Sequence, residues 1–502
     1  MEIFTYMIQG FSDIVQIGPL VAIVLGVITG VAVGAMPGLS PAMGVALLLP
    51  FTFQLPPLIG LVLLCSVYLA SNYGGSITAI AINTPGTPSA VVTAFDGYPL
   101  NRMGKTGIAM GHSLVSSVVG GIIGIIILII FAQPLAMVAI QMHPAEYFAL
   151  AVFGLTTVAS LGGDHWGKAF LAALFGLLIT TVGIDPIGGV RRYTFGVRFL
   201  FDGFALIPAL IGLFALSELF MKLEYDMKGN SDVTIEDRSA NDRWPSIKEY
   251  WAVKRTTVQS AVMGTLIGIF PGAGSAIASF ISYDFAKRTS KNSESFGKGQ
   301  PEGVAAAEAA NSASVGGALV PLLTLGIPGS AATAVLIGAL LIHDLVPGPQ
   351  LFRDSPDIVY GIFASLLIAN IAMLFVGFGG SKLWMQVIKL KPAILTPIIL
   401  TVSFIGSFSV QNSMFDVAAC FGFGILGWIL RRYKFPVSPI VLGMVLGTLA
   451  EENFRRAVLM GGYSVFFTRP ATLILLFLSV ASFAVPFIQQ RRRKRKMANT
   501  KS

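Results

Sequence analysis

Two stretches of this 502-residue sequence gather oxygen-bearing side chains, glycine and proline in a pattern suited to ion chemistry. The first is YGGSITAIAINTPGTPSAVVTAFDGYP, residues 73–99, with the tip Asn83-Thr84-Pro85-Gly86-Thr87-Pro88-Ser89. The second is NSASVGGALVPLLTLGIPGSAATAVLIGALLIHDLVPGP, residues 311–349, with the tip Gly326-Ile327-Pro328-Gly329-Ser330. In each, a Pro-Gly break interrupts an apolar run and frees peptide groups. Freed peptide groups are costly at membrane depth unless they line protein or a watery cavity. The arms of the first tip read as about ten residues each, too short to span alone, which predicts a re-entrant hairpin. Asn83, Thr84, Pro85, Gly86 and Thr87, then Pro328, Gly329 and Ser330, are candidates for an anionic solute, because a helix N-terminus presents N–H groups to an anion. Ser71, Asn72 and Ser76, then Asn311, Ser312, Ser314 and Thr324, are candidates for a hard cation, sodium in particular, which prefers oxygen ligands. Two further loops, MPGLSPAMG at 36–44 and FPGAGSAIAS at 270–279, add Pro37, Gly38, Ser40, Gly272 and Ser275 as solute candidates. Plainer readings stand beside these: an exposed turn at each tip, hydroxyls that serve helix packing, and glycines that let helices approach.

The elements that hold these residues must be membrane helices. Of the residues 54% are hydrophobic and 12% charged, against about 25% charged in soluble domains. Apolar segments recur near 14–35, 57–72, 107–132, 145–161, 167–183, 203–221, 257–283, 357–378, 392–407, 414–430, 436–450 and 465–488. The expected class is an all-α polytopic membrane protein. That excludes a secreted domain, a nucleic-acid binder and an ordinary soluble enzyme. The net charge of +9 reflects one terminal run, Arg491 to Lys496, and falls to about +3 without it; the run reads as a cytoplasmic anchor. Two cysteines exclude a disulfide framework. Four histidines lie far apart without ligand spacing, so no enzyme, metal centre or cofactor is expected beyond sodium as a coupling ion. Asp96 and Asp164 fall in apparent turns and are expected at the interface. Glu308, one turn from Asn311 and Ser312, is expected either inside the bundle or as a capping charge.

The chain also repeats itself. Gly30, Gly34, Pro37 and Gly38 return as Gly264, Gly268, Pro271 and Gly272; Gly74-Gly75 with Pro85-Gly86 returns as Gly316-Gly317 with Pro328-Gly329; LFALSELF at 213–220 echoes LGTLAEENF at 446–454. Between the copies, residues 222–256 hold 14 charged side chains, seven of each sign. The expected organisation is a first repeat at 1–221 with its tip near 83–89, a cytoplasmic loop at 222–256, a second repeat at 257–460 with its tip near 326–333, a final helix at 461–488 and a basic tail at 489–502. A cytoplasmic loop and tail with an odd number of crossings per repeat predict inverted topology, the plan of many secondary transporters. A channel, or more remotely an intramembrane hydrolase, remains as the competing class.

With these residues in view, the chain resembles the large permease subunit of the tripartite tricarboxylate transporters, the TctA family. The resemblance rests on G-x-x-P-G at 34–38, YGGSIT…NTPGTPS…DGYP at 73–99, FPGAGS at 270–275, SFGKGQPEGVAAAEAANSAS at 295–314, TLGIPGSAATAVLIGAL at 324–340 and FP.SP..LG at 435–443. It implies a multi-pass carrier in a bacterial inner membrane, with an elevator-like movement of the unit bearing the tips. It also implies a small four-helix membrane subunit (TctB-like), a periplasmic solute-binding protein (TctC-like), and import of citrate or related di- and tricarboxylates with a cation, sodium or proton. A homo-oligomeric membrane complex is left open, and no nucleic acid is involved. Inverted topology is tested by cysteines engineered at Asn230 and Val458. An impermeant thiol reagent should label them from opposite faces of the membrane, and labelling from one face rules the arrangement out.

Overall fold

A computed structural model of the chain describes residues 2–36, 39–160, 166–185, 187–228, 243–272, 274–380, 384 and 392–499. Its first part runs through α1 (Glu2–Ile14), α2 (Ile17–Gly34), α3 (Pro41–Leu48), α4 (Pro57–Ile82), α5 (Ala90–Arg102), α6 (Thr106–Ile140), α7 (Pro144–Ser160) and α8 (Trp166–Thr180). A short antiparallel hairpin, β1 (Gly183–Ile184) and β2 (Arg191–Arg192), pairs Gly183 with Arg192 and Ile184 with Arg191. Then α9 (Leu206–Leu210) passes through a π turn at Ile211–Leu216 into α10 (Ser217–Met227). The second part holds α11 (Ile247–Ile269), α12 (Gly274–Thr289), α13 (Pro301–Leu325), α14 (Ala331–Ile342), α15 (Pro349–Asp354) and α16 (Pro356–Gly379). It ends with α17 (Pro392–Gln411), α18 (Met414–Arg432), α19 (Ser438–Gly461), α20 (Val465–Thr468) and α21 (Pro470–Asn499). Among the described residues six helices, Ile17–Gly34, Pro57–Ile82, Thr106–Ile140, Leu206–Tyr225, Pro356–Gly379 and Met414–Arg432, are long and apolar enough to cross a membrane. The chain is an all-α polytopic membrane protein.

Several elements differ from the sequence expectation. The first arm of the 83–89 tip is no ten-residue stub, because α4 continues unbroken from Pro57 to Ile82, about 39 Å at 1.5 Å per residue. Gly74 and Gly75 stay helical because a neighbouring backbone needs their missing side chains: a methyl group on Gly74 would lie 2.4 Å from the Val31 carbonyl oxygen on α2. The apolar stretch 257–283 is two helices, divided at Pro271-Gly272. The charged stretch 222–256 is helical at both ends, in α10 and α11; residues 229–242 lie outside the described residues. Asp96 sits inside α5 and is fully buried, so DGYP is not a turn. Asp164 and His165 lie outside the described residues.

Two groups of helices pack side by side. The central group comprises α1–α6 and α11–α16, with α4 and α13 innermost; α13 is buried almost throughout. The second group comprises α7–α10 and α17–α21. Within the central group α2 lies on α4 and α11 lies on α13. Short helices cross over: α5 packs on α12 and α13, while α14 packs on α3 and α4. In the second group α19 packs on α7 and α8, while the α9–α10 segment packs on α17 and α18. The two groups meet through α3, the turn at Leu49–Thr52 and α14, against α9, the π turn, α17 and α19.

The ends of the second group are defined by charge pairs. At one end Arg455 on α19 meets Asp185 at 2.6 Å and Glu451 at 2.9 Å, and Arg192 meets Glu451 at 2.5 Å. At the other, Arg431 lies 3.3 Å from Glu218, and the Trp428 indole donates to Glu224. From Leu206 to Glu224 the α9–α10 segment rises about 27 Å at 1.5 Å per residue, close to the hydrocarbon thickness of a bilayer. Arg455 and Arg456, which run against the charge rule under inverted topology, are thus held by acidic partners, Arg456 by Glu452 at 3.1 Å. The Arg455 guanidinium, by its hydrogen bond, holds the Asp185 carboxyl below the usual carboxylate range. A carboxyl whose folded value is depressed stabilises the fold above its unfolded value, and the contribution disappears as pH falls through the folded value. Asp185→Asn should therefore lower the unfolding temperature near pH 7, and the gap from the parent chain should close below about pH 4. Thermal melts across that range check this, and coincident melting near pH 7 would reject it.

Candidate functional site

Each tip forms because a long helix ends in a residue that tolerates left-handed backbone. Asn83 closes α4 at φ 54°, and Gly326 closes α13 at φ 71°. Proline follows two residues later in both cases and bars continuation of the helix. The freed peptide groups then find partners on neighbouring backbone. At the first tip the Gly86 amide donates to the Gly75 carbonyl at 3.2 Å. A methyl group on Gly86 would meet the Gly34 carbonyl oxygen at 2.0 Å, and one on Gly75 would meet Thr87 Oγ1 at 2.3 Å. The second tip uses the same device: the Gly272 amide donates to the Gly329 carbonyl at 3.0 Å, and Gly317 lies against the Thr265 carbonyl and Gly268. The glycine motifs therefore pack each tip against the helix that leads into its own Pro-Gly loop. The Gly272 N–H is engaged by this tip.

Of the solute candidates, Asn83 is exposed, Thr84 and Pro85 are half-buried, and Gly86 and Thr87 are buried with Thr87 Oγ1 3.1 Å from Ser89 Oγ. Pro328 and Gly329 are buried; Ser330 caps α14 through Thr333 and lies 3.0 Å from the Tyr68 hydroxyl of α4. Gly272 and Ser275 are half-buried. Pro37 and Gly38 lie outside the described residues. Ser40 caps α3 and turns toward the second group, where its Oγ donates to Glu218 at 3.1 Å. That carboxylate in turn meets Arg431, so Ser40 is joined to the seam between the two helix groups.

The cation candidates are all buried, and most of their hydroxyls donate within their own helix. Ser71 donates to Tyr68, Ser314 to Asn311 and Thr324 to Val320 carbonyls. Ser76 donates to the Tyr73 carbonyl and lies 2.7 Å from Ser113 Oγ of α6. Asn72 donates to the Tyr68 carbonyl, and its own carbonyl receives the Asn311 amide at 3.1 Å. Asn311 therefore joins α13 to α4. Ser312 Oγ and Asn311 Oδ1 are buried without a hydrogen-bond partner.

The structure adds Thr93 and Ser117, which sequence reasoning passed over, and sets Glu308 inside the bundle, one of its two expected places. Glu308 is completely buried at the meeting of three helices: Thr93 of α5 donates to its Oε1, and Ser117 of α6 donates to its Oε2 at 2.9 Å. Asp96, one turn beyond Thr93, receives the Tyr283 hydroxyl at 2.7 Å and the amides of Gly297, Gly299 and Gln300 at 2.8, 2.9 and 2.8 Å. Thr93 and Asp96 both stood inside a quoted motif; their available signal was a polar residue in an apolar arm. Ser117, in an unremarkable apolar helix, gave none. The outcome is two long helices, each ended by a Pro-Gly tip, that are joined by polar contacts: Tyr68 with Ser330, Asn72 with Asn311, and Thr93 of α5 with Glu308.

A polytopic helical bundle organised around paired broken helices is the class that this fold and site define. The chain belongs to the tripartite tricarboxylate transporter TctA family, which it matches over residues 20–442. It is 35% identical over 497 residues to an Agrobacterium vitis protein described as an uncharacterized 52.8 kDa protein in the TAR-I ttuC' 3' region; the alignment covers 99% of this chain and 98% of that one. A second Agrobacterium vitis protein, described as an uncharacterized protein in the TAR-II ttuC' 3' region, is 38% identical over 234 residues, covering 46% of this chain and 97% of its own length. Family membership makes the chain a transporter membrane subunit of a tripartite system.

The glycine contacts give a direct test. Gly86→Ala should lower the unfolding midpoint of the purified protein and its membrane abundance, because the obstacle is backbone and overpacking costs roughly 1–3 kcal/mol. Gly422→Ala, where nothing lies within 4 Å of the added methyl group, should leave both within error or slightly raised. Equal behaviour of the two variants would refute the close-packing account.

Proposed function

We propose that this chain is the large permease subunit of a binding-protein-dependent secondary transporter that imports di- or tricarboxylates, or related organic anions, with a cation. The observation that carries the reading is the matched pair of Pro-Gly breaks that follow α4 and α13. Each is followed by a short helix that begins at the tip and packs against the other copy of the repeat. Discontinuous helices in corresponding positions of two halves are the arrangement in which carriers hold a solute near mid-membrane. The starts of α5 and α14 supply N–H groups and positive dipole ends to an anion. Such dipoles, together with a co-transported cation, take the place of arginine clamps. The expected partners are the small four-helix membrane subunit and the periplasmic binding protein of the tripartite system.

Movement follows from the asymmetry between copies. α3 and α14 abut the second helix group, whereas α5 and α12, their counterparts, pack within the central group. With inverted repeats, such one-sided docking corresponds to one end-state of an elevator, and the opposite state would exchange the two pairs.

The test is uptake of labelled citrate and a dicarboxylate panel by cells expressing the chain, its small partner and its binding protein, with and without sodium. Saturable, gradient-dependent uptake of one acid is expected. Asn83→Ala is expected to reduce it several-fold at unchanged membrane abundance. Non-saturating flux that ignores both sodium and proton gradients would replace the carrier with a channel.

A further inference from the structure

Glu308 lies where a carboxylate should not stand alone. It is fully buried, and the side chains that donate to it, the hydroxyls of Thr93 and Ser117, are neutral. An uncompensated carboxylate in a dry interior is among the costliest groups a fold can hold. The nearest other carboxylate on α5, Asp96, already takes four donors and shares none of them with Glu308.

The surroundings also hold buried polar atoms without partners. Asn311 and Ser312 follow Glu308 by three and four residues on α13, so all three lie on one helix face. Asn311 Oδ1 and Ser312 Oγ have no hydrogen-bond partner. The Asn311 amide nitrogen is used by the Asn72 carbonyl, so exchanging its oxygen and nitrogen would set two carbonyl oxygens face to face. Asn370 Oδ1 is a further buried acceptor without a donor, packed against Gly121, one turn along α6 from Ser117. One proton on Glu308 would remove the charge and leave most of these oxygens unmatched. A small cation satisfies several oxygens at once and neutralises the charge.

We propose that Glu308, with Asn311, Ser312, Thr93 and Ser117, binds an alkali cation of sodium's size at the junction of α5, α6 and α13. The carboxylate gives the charge, the Asn311 oxygen and the hydroxyls give neutral ligands, and the hydroxyl hydrogens turn away as the cation enters. Because Thr93 belongs to the arm that follows the first tip, the ion fastens that arm to α13. The ion's use in coupling rests on the transport reading above; its binding does not.

The experiment uses the purified full-length chain, with sodium chloride against choline and potassium chloride, and reads both radioactive sodium binding and the thermal unfolding midpoint. Sodium should bind saturably and raise the midpoint, as a ligand of the native state must, while choline and potassium should not. Glu308→Gln should weaken sodium binding about 10- to 100-fold, the effect of removing a charged partner, and Thr93→Val and Ser117→Ala about 3- to 10-fold each. If Glu308→Gln does not fold, the two hydroxyl variants decide. Sodium binding unchanged in Glu308→Gln, or in both hydroxyl variants, overturns the site. So does the absence of sodium binding together with proton uptake that Glu308→Gln abolishes. No organic acid is present, so sodium binding without any acid uptake in cells would sink the transport reading and keep the site.

Discussion

The constraint on which this architecture depends is that a helix broken inside a membrane must satisfy its freed peptide groups without bulk water. Here the solution is contact of backbone with backbone. The Gly86 amide is received by the Gly75 carbonyl, and Gly34, Gly75 and Gly86 lie so close that none has room for a side chain. The second tip is anchored by Gly272, Gly317 and Gly329 in the same manner. Glycine normally costs a helix about 1 kcal/mol relative to alanine, and in α4 and α13 that cost is offset by surfaces onto which an irregular turn can be laid. Remove the glycines and the tips have nowhere to bond.

With the tips fixed to their own halves, side chains tie the halves to each other. Tyr68 reaches Ser330, Asn311 reaches the Asn72 carbonyl, and Thr93 reaches Glu308. All three links run between α4 or α5 and α13 or the α14 cap. The polar residues of this core therefore serve two ends: they weld the crossing of the long helices, and they leave two oxygens, on Asn311 and Ser312, without partners in the middle.

The tips, the Pro-Gly loops and the helical, membrane-spanning class were legible in the sequence, because proline and glycine punctuate apolar runs and mean hydropathy is high. The course of α4 was not: Gly74-Gly75 looks the same in sequence whether it breaks a helix or admits a neighbour, and only the proximity of α2 decides. Asp96 in DGYP misled for a related reason, since turn-forming composition gave way to three amides brought from residues 297–300, some two hundred positions away. Ser40 read as a solute candidate from its place in the loop after Pro37-Gly38, and its partner Glu218 belongs to a helix 178 positions away. Long-range pairings of this kind leave no local pattern.

The Asp96 clasp makes the two hairpins mechanically unequal. Peeling α5 from its bed tears four bonds from one buried carboxylate and drags the 297–300 segment along. At the second tip, the described side-chain tie from the start of α14 to α4 is the Tyr68–Ser330 pair. Among the described residues the first hairpin is therefore fastened by more side-chain bonds than the second, and a strain shared by the two would free the start of α14 before it freed α5.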